Sequence, residues 1–250
     1  MKATRAGRRL RWQTTTVVGV RDETATARTL VLDAPEWPGH AAGQHVDVRL
    51  TAEDGYSTQR SYSLASSGDG TLIELTVQRI ADGEVSPYLV DVMEAGDRME
   101  LRGPVGGWFV WDPRDPSPVL LVGGGSGIVP LMSMIRTRAG LGSRVPFRLL
   151  YSVRTPDDRY YVPELGPRGT GRAGLDITYL YTRSAPEGSP RPPGRLTAAE
   201  VTAFGWPAEF APMCFLCGPT GFVEQAAAFL VAQGHDPSRI RTERFGPVGG

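Results

Sequence analysis

Arg60-Ser61-Tyr62-Ser63-Leu64 is the stretch on which the reading of the first half of this chain turns. Its side chains alternate along an extended backbone, so Arg60 and Tyr62 project to one side and Ser61 and Ser63 to the other. Outward from it, short β-rich runs alternate with turns at residues 14–20, 29–33, 45–50, 60–64, 72–78 and 98–101. Six such runs at close spacing predict an antiparallel barrel. Between the last two, Leu89, Val90 and Met93 recur at helical spacing behind Pro87, which predicts one short helix over residues 86–92.

The texture changes at Asp112-Pro113-Arg114-Asp115-Pro116-Ser117-Pro118, where the prolines prevent helix and interrupt sheet pairing. Beyond it, strand and helix signals alternate. Val119-Leu120-Leu121-Val122 is an uninterrupted apolar run, as expected of a parallel strand covered on both faces. A helix over 131–138, strands at 147–153 and 176–181, and a helix from Thr197 follow, the last opened by a capping box with Glu200. A strand at 213–216, a helix at 222–232 and a strand at 240–244 complete a doubly wound α/β pattern. The expected organisation is an antiparallel β-barrel domain over 1–112, a linker at 113–118 and an α/β domain over 119–250. The Pro-, Gly- and Ser-rich segment 183–194 is expected to be a mobile surface loop.

The 250 residues carry 27 basic and 27 acidic side chains, so no global field favours nucleic acid, membrane or a strongly acidic ligand. Lys2 is the only lysine; bidentate arginines are therefore abundant wherever a phosphate is to be held. No apolar run approaches the roughly 20 residues needed to span a bilayer, and the basic stretch 1–11 lacks a signal-peptide core. A cytoplasmic location is the expectation, with 1–11 a solvated arm. Two cysteines, Cys214 and Cys217, cannot supply four ligands to zinc or an iron-sulfur centre, and His40, His45 and His235 are scattered. No protein-bound metal is expected.

Gly123-Gly124-Gly125-Ser126-Gly127 follows a buried-type strand and precedes a helix, the context of a dinucleotide phosphate loop. It is not a Walker A motif, because no lysine follows, and Ile128 stands where a third glycine of Gly-x-Gly-x-x-Gly would fall. Cys214-Phe215-Leu216-Cys217-Gly218-Pro219 has dithiol spacing but reads as an apolar strand.

Taken in order, Arg60-Ser61-Tyr62-Ser63, Gly123-Gly124-Gly125-Ser126-Gly127-Ile128-Val129-Pro130 and Cys217-Gly218-Pro219 resemble the ferredoxin-NADP reductase superfamily. The resemblance implies an FAD-binding barrel followed by an NAD(P)-binding domain, without a fused iron-sulfur domain. It implies that Tyr62 stacks on the isoalloxazine, Ser63 bonds near its N5 and Arg60 pairs with the pyrophosphate, with Ser61 in the same strand. Val77, Gln78 and Arg79 resemble the strand lying along the flavin. Gly83-Glu84-Val85-Ser86 resembles the phosphate-binding helix start, which favours FAD over FMN; Ser86 also reads as an ordinary N-cap.

By the same resemblance, Gly123 to Gly127 cradle the dinucleotide phosphates, and Cys217, Gly218 and Pro219 bring nicotinamide to the flavin. Glu243 relays a proton or, alternatively, is a surface carboxylate paired with Arg241. Phe245 lies near the flavin, although the tail 246–250 departs from relatives that end in an aromatic residue. Arg154, Arg183 and Arg195 at strand ends favour NADPH over NADH, with Ser152 beside them; Arg154 followed by Asp157 and Asp158 also looks like NADH-using relatives.

The implied reaction is hydride transfer from NAD(P)H to FAD, with single electrons passed to a separate acceptor protein: ferredoxin-like, a haem or metal oxidoreductase, or an oxygenase component. Reduction of a small diffusible acceptor such as flavin, quinone or ferric chelate, and dinucleotide sensing without turnover, stay open beside it.

Overall fold

The computed structural model describes residues 10–52, 54–68, 70–166 and 174–246. Most of the basic arm 1–11 and of the tail 246–250 lies outside the described residues.

Six strands form the first sheet: β1 (Trp12–Thr24), β2 (Ala27–Asp33), β3 (His45–Thr51), β4 (Ser57–Ser63), β5 (Leu72–Gln78) and β6 (Arg98–Val105). Their order is β4-β3-β6-β1-β2-β5, and every pairing is antiparallel. The edges then meet: Leu64 bridges Leu75, and the Ala65 amide donates to the Glu74 carbonyl at 2.8 Å. This contact turns an open sheet into a barrel and removes its free edges. Alternation sends Leu30, Leu32, Val46, Val48, Leu75 and Val77 into a closed apolar core.

The helix expected at 86–92 forms over those residues, with its last five, Tyr88–Val92, wound as a π-helical turn. Ser86 does not cap it. Its hydroxyl instead accepts the Ile80 amide at 3.0 Å, folding the glycine-bearing turn back on itself.

The second sheet comprises β7 (Val119–Gly124), β8 (Phe147–Val153), β9 (Leu175–Tyr181), β10 (Met213–Pro219) and β11 (Ile240–Phe245). All pairings are parallel, in the order β11-β10-β7-β8-β9. Helices α1 (Ile128–Gly140), α2 (Val162–Leu165), α3 (Ala198–Phe204) and α4 (Thr220–Ala232) accompany it. The strand order reverses between β7 and β10, so a crevice opens at their carboxyl ends, where doubly wound sheets bind ligands. Thr197 and Glu200 form the expected capping box on α3.

Two features depart from the sequence reading. Phe109 and Trp111 precede the proline-rich segment yet pack edge-on against Phe215 and Phe147 in the second core. The segment 183–194 is pinned, not loose: Arg191 donates to the carbonyls of Tyr181, Gly194 and Arg195, each at 2.9 Å, and to Glu200. Prolines leave this stretch short of amide donors, and one guanidinium replaces them.

The barrel and the second sheet are joined by polar contacts across their packed faces. Arg136 on α1 donates to Glu74 at 2.8 Å and to the Ala65 carbonyl at 3.0 Å. Ser133 donates to the Ser66 carbonyl at 2.7 Å. Tyr161 carries a left-handed backbone (φ 58), uncommon for a bulky side chain, and is held there from the barrel. Its amide donates to Glu23 at 2.8 Å and its hydroxyl to Thr76 at 2.6 Å.

Candidate active site

Gly127 is the position where the crevice geometry is most exacting. A Cβ there would collide with the carbonyl of Cys217, so the turn after β7 can lie against the end of β10 only with glycine. Gly124 is similarly faced by the Phe222 ring, whose nearest carbon would stand 2.8 Å from an added Cβ. These close approaches draw the Gly123–Gly127 backbone, Gly218 and Pro219 to one side of a single opening.

That opening is a cavity of about 520 Å³. Of the residues singled out from the sequence, Gln78, Gly124, Gly125, Ser126, Ser152, Arg154, Asp158, Arg195, Pro219 and Phe245 line it, the Asp158 carboxylate being taken up by the Thr155 amide at 2.9 Å and hydroxyl at 2.7 Å. Thr24 and Thr26, in the β1–β2 turn, and Gln78 bring the barrel into its wall, so it sits where the two sheets meet. Its size and its amide-rich, arginine-bearing rim suit a dinucleotide. Gly123, Gly127, Cys217 and Gly218 shape the wall from behind. Arg183 is not on the lining; its amide donates to the Arg154 carbonyl at 2.9 Å.

Cys217 and Glu243 are register partners across β10 and β11. Both stand at the crevice end of the sheet. Burial pushes the Cys217 thiol well above its ordinary range, with the neighbouring Glu243 adding to the effect. It is a thiol and not a thiolate. Cys214 belongs to the core on one face of the sheet and Cys217 to the other, so the dithiol spacing produces no dithiol; both are free. Burial also raises the Glu243 carboxyl to about 7. The alternative of a surface pair with Arg241 does not hold: Arg241 donates to the carbonyls of Trp108 at 3.1 Å and Val110 at 2.5 Å, across the sheet junction. The Glu243 carboxyl has no hydrogen-bond or ion-pair partner among the described residues.

The remaining predicted residues form a second cluster on the barrel. Tyr62 is half-buried against the barrel core opposite Val46, and burial lifts its hydroxyl to about 12, leaving a neutral aromatic wall. Arg60 is exposed beside it, with its guanidinium on the Gln59 carbonyl at 2.7 Å and 3.9 Å from Glu84. Glu84 also accepts from Thr58 at 3.3 Å, which ties β4 to the 83–86 turn. Ser63 pairs with His45 across β3.

Several predicted side chains are already engaged. The Ser61 hydroxyl donates to Asp47 at 2.7 Å, and Arg79 pairs with Asp91 at 2.6 Å. Val77 and Val85 are core residues. At Gly83 an added Cβ would crowd the Ser86 hydroxyl at 3.0 Å and the Ile80 carbonyl at 3.2 Å. The cluster therefore offers a cation, a flat ring and a tight turn with amides. These are groups that suit a flavin carrying phosphates.

Sequence reasoning missed Thr24, Thr26, Tyr160, Phe222 and Gln225 on the cavity wall. Phe222 had a readable counterpart in the glycines it faces. The threonines had none, because only the docking of barrel on sheet brings their turn to the crevice.

Comparison with known proteins agrees with this arrangement. Residues 19–110 match the oxidoreductase FAD-binding domain and residues 121–228 the oxidoreductase NAD-binding domain. The chain is 31% identical over 234 residues to the glycine betaine monooxygenase reductase subunit of Chromohalobacter salexigens, covering 92% of this chain and 63% of that protein. It is 29% identical over 246 residues to the reductase subunit of an aromatic O-demethylase from Amycolatopsis, 96% of this chain and 71% of the other. The crystal structure of an Amycolatopsis cytochrome P450 reductase superposes with a TM-score of 0.82 at 30% identity, over 96% of this chain and 71% of that one. The chain belongs to the ferredoxin-NADP reductase superfamily, with an oxidoreductase FAD-binding domain followed by an oxidoreductase NAD-binding domain.

Proposed function

We propose that this protein passes reducing equivalents from NAD(P)H through FAD to a separate redox protein, as the reductase half of an oxygenase or P450 system. Residues 1–112 hold FAD and 119–250 hold the nicotinamide dinucleotide, with 113–118 connecting them. The observation that carries the reading is the cavity at the β7/β10 switch point, walled by the phosphate-type glycine loop on one side and by the barrel's own Gln78, Thr24 and Thr26 on the other. Relatives whose names describe monooxygenase and demethylase reductase subunits support the choice of acceptor class.

Bound FAD supplies the conversion between a two-electron donor and one-electron acceptors. The protein's part is positional. Tyr62 provides the apolar wall, while Arg60 and the 83–86 turn take the phosphates. The Gly123–Gly127 turn receives the dinucleotide phosphates, and Cys217, Gly218 and Pro219 allow close approach of the nicotinamide end. Glu243, titrating near neutrality in a shielded position, holds and returns a proton at the crevice. NADPH is the preferred coenzyme. Arg154 and Arg195 stand on the cavity rim, and Arg183 is joined to Arg154 through the backbone.

Anaerobic titration of the yellow protein tests this directly. NADPH is expected to bleach the flavin rapidly and NADH more slowly. Absence of rapid bleaching by either coenzyme refutes the reaction, and turnover confined to small quinones or ferric chelates refutes the protein acceptor.

A further inference from the structure

Arg195 stands on a wall shared by two recesses. One is the dinucleotide cavity; the other is an open recess of about 570 Å³, and Leu196 and Gln225 line both. Arg195 is exposed, on a stretch where Pro190, Pro192 and Pro193 contribute no amide hydrogens. Its backbone is nevertheless held. The Arg191 guanidinium, largely buried, donates to the carbonyls of Gly194 and Arg195 from one nitrogen and to the Tyr181 carbonyl from another, each at 2.9 Å. The Gly194 amide donates to the same Tyr181 carbonyl at 2.9 Å, so the end of β9 and the lead into α3 close on one fork.

The same guanidinium faces a carboxylate. Glu200 accepts from Arg191 and from the Thr197 amide at 2.8 Å. Burial alone would raise the Glu200 carboxyl, but hydrogen bonds from Arg191 and Thr197 outweigh it and hold it below its ordinary value. A negative charge close to Arg195 is thereby neutralised.

The geometry points to Arg191 as a positioning residue for coenzyme selectivity: it fixes the Gly194–Arg195 backbone and covers Glu200, so that Arg195 is presented to the 2′-phosphate of NADPH. This inference rests on the coenzyme reading above. It assigns the selectivity to a residue that does not touch the coenzyme. A lysine could answer the charge of Glu200 but has no planar fork to span three carbonyls.

The test is calorimetric binding of 2′,5′-ADP and of 5′-AMP to the FAD-loaded protein and to its Arg191→Gln, Arg195→Ala and doubly substituted forms. Arg191→Gln is expected to weaken 2′,5′-ADP by about tenfold, the value of one charge-assisted hydrogen bond, with 5′-AMP and flavin content unchanged. The double variant is expected to be no weaker than Arg195→Ala alone, because both act through one contact. If Arg191→Gln does not fold, Arg191→Lys carries the same readouts. Unchanged 2′,5′-ADP binding in the Arg191 variant beside a loss in Arg195→Ala overturns the positioning role and leaves the coenzyme reading standing, as does an additive double variant. A native protein that binds the two nucleotides equally overturns both.

Discussion

Replacing Glu243 by glutamine isolates one half-buried charge. In the unfolded chain this carboxyl ionises near 4.5; in the folded protein burial raises it to about 7. Between those values the folded state holds a proton that the unfolded state has lost, so rising pH favours unfolding across that window. Below it both states are protonated and the group contributes nothing; above it both are ionised and the full cost is present. With each tenfold in proton affinity worth about 1.4 kcal/mol, that cost reaches about 3 kcal/mol at pH 8. Glutamine has nearly the same shape and no charge. The difference in unfolding free energy between Glu243→Gln and the native protein is therefore expected to grow in the variant's favour by about 2.5 kcal/mol between pH 5 and pH 8. Urea unfolding followed by circular dichroism at half-unit intervals gives the two curves. Cys217, whose thiol Glu243 also raises, stays protonated in the folded protein across this range, so the difference between the curves reports Glu243. Parallel curves would show that this carboxyl ionises at its ordinary value and would remove it as a proton carrier near neutrality.

Other perturbations follow from the same geometry. Tyr62→Ala is expected to lower the flavin content of the purified protein at least several-fold and shift its visible spectrum; unchanged absorbance rules out Tyr62 as the flavin's wall. Gly127→Ala forces a methyl group into the Cys217 carbonyl and should destabilise the protein by about 1–3 kcal/mol, in the range of core overpacking, with loss of NADPH binding seen by calorimetry. Joint Arg154→Ala and Arg195→Ala, which remove both arginines from the cavity rim, should raise KM for NADPH far more than for NADH, and equal effects would undo the proposed coenzyme preference. Arg136→Ala removes the cation shared by Glu74, which keeps Arg21, and the exposed Glu164, and should cost about 1–2 kcal/mol, in the range of one charge-assisted hydrogen bond; a melting temperature equal to the native value would contradict that.

The elements that could be read from sequence are those whose cause is local. Alternation along residues 27–33 and 72–78, the unbroken apolar run of β7 and the Thr197–Glu200 box each state their own geometry. The glycine turn at 123–127 was legible for the same reason: close backbone approach demands small residues in a row. What escaped was set by distant partners. Nothing near Ser86 announces that its hydroxyl will take the Ile80 amide instead of capping a helix. The proline-rich segment 183–194 looked loose because the donor that orders it is a side chain, Arg191, and not a backbone pattern. Of the two readings open for Glu243, the surface pair with Arg241 fails because packing turns Arg241 toward the carbonyls of Trp108 and Val110.

Those same distant contacts bear on how two sheets make one site. Thr24, Thr26 and Gln78 reach the cavity at the sheet junction only because the β1–β2 turn and the end of β5 are held against the second sheet. The holding groups lie beside them. Glu23, adjacent to Thr24, accepts the Tyr161 amide, and Thr76, two residues before Gln78, accepts the Tyr161 hydroxyl. Tyr160, next in sequence, forms part of the cavity wall. One tyrosine in a left-handed conformation thus sets the position of three segments of that wall, and Arg136, over its ring at 5.1 Å, holds Glu74 from the other side. Phe109 and Trp111 add an apolar anchor from the segment between the sheets. The distance across the cavity is therefore set by packed side chains and buried polar contacts, and the segment 113–118 is itself tied down, Ser117 accepting from Arg239 at 2.7 Å. Transfer between two rings requires near-contact geometry, and it is this packed junction, more than any residue touching a coenzyme, that can keep it.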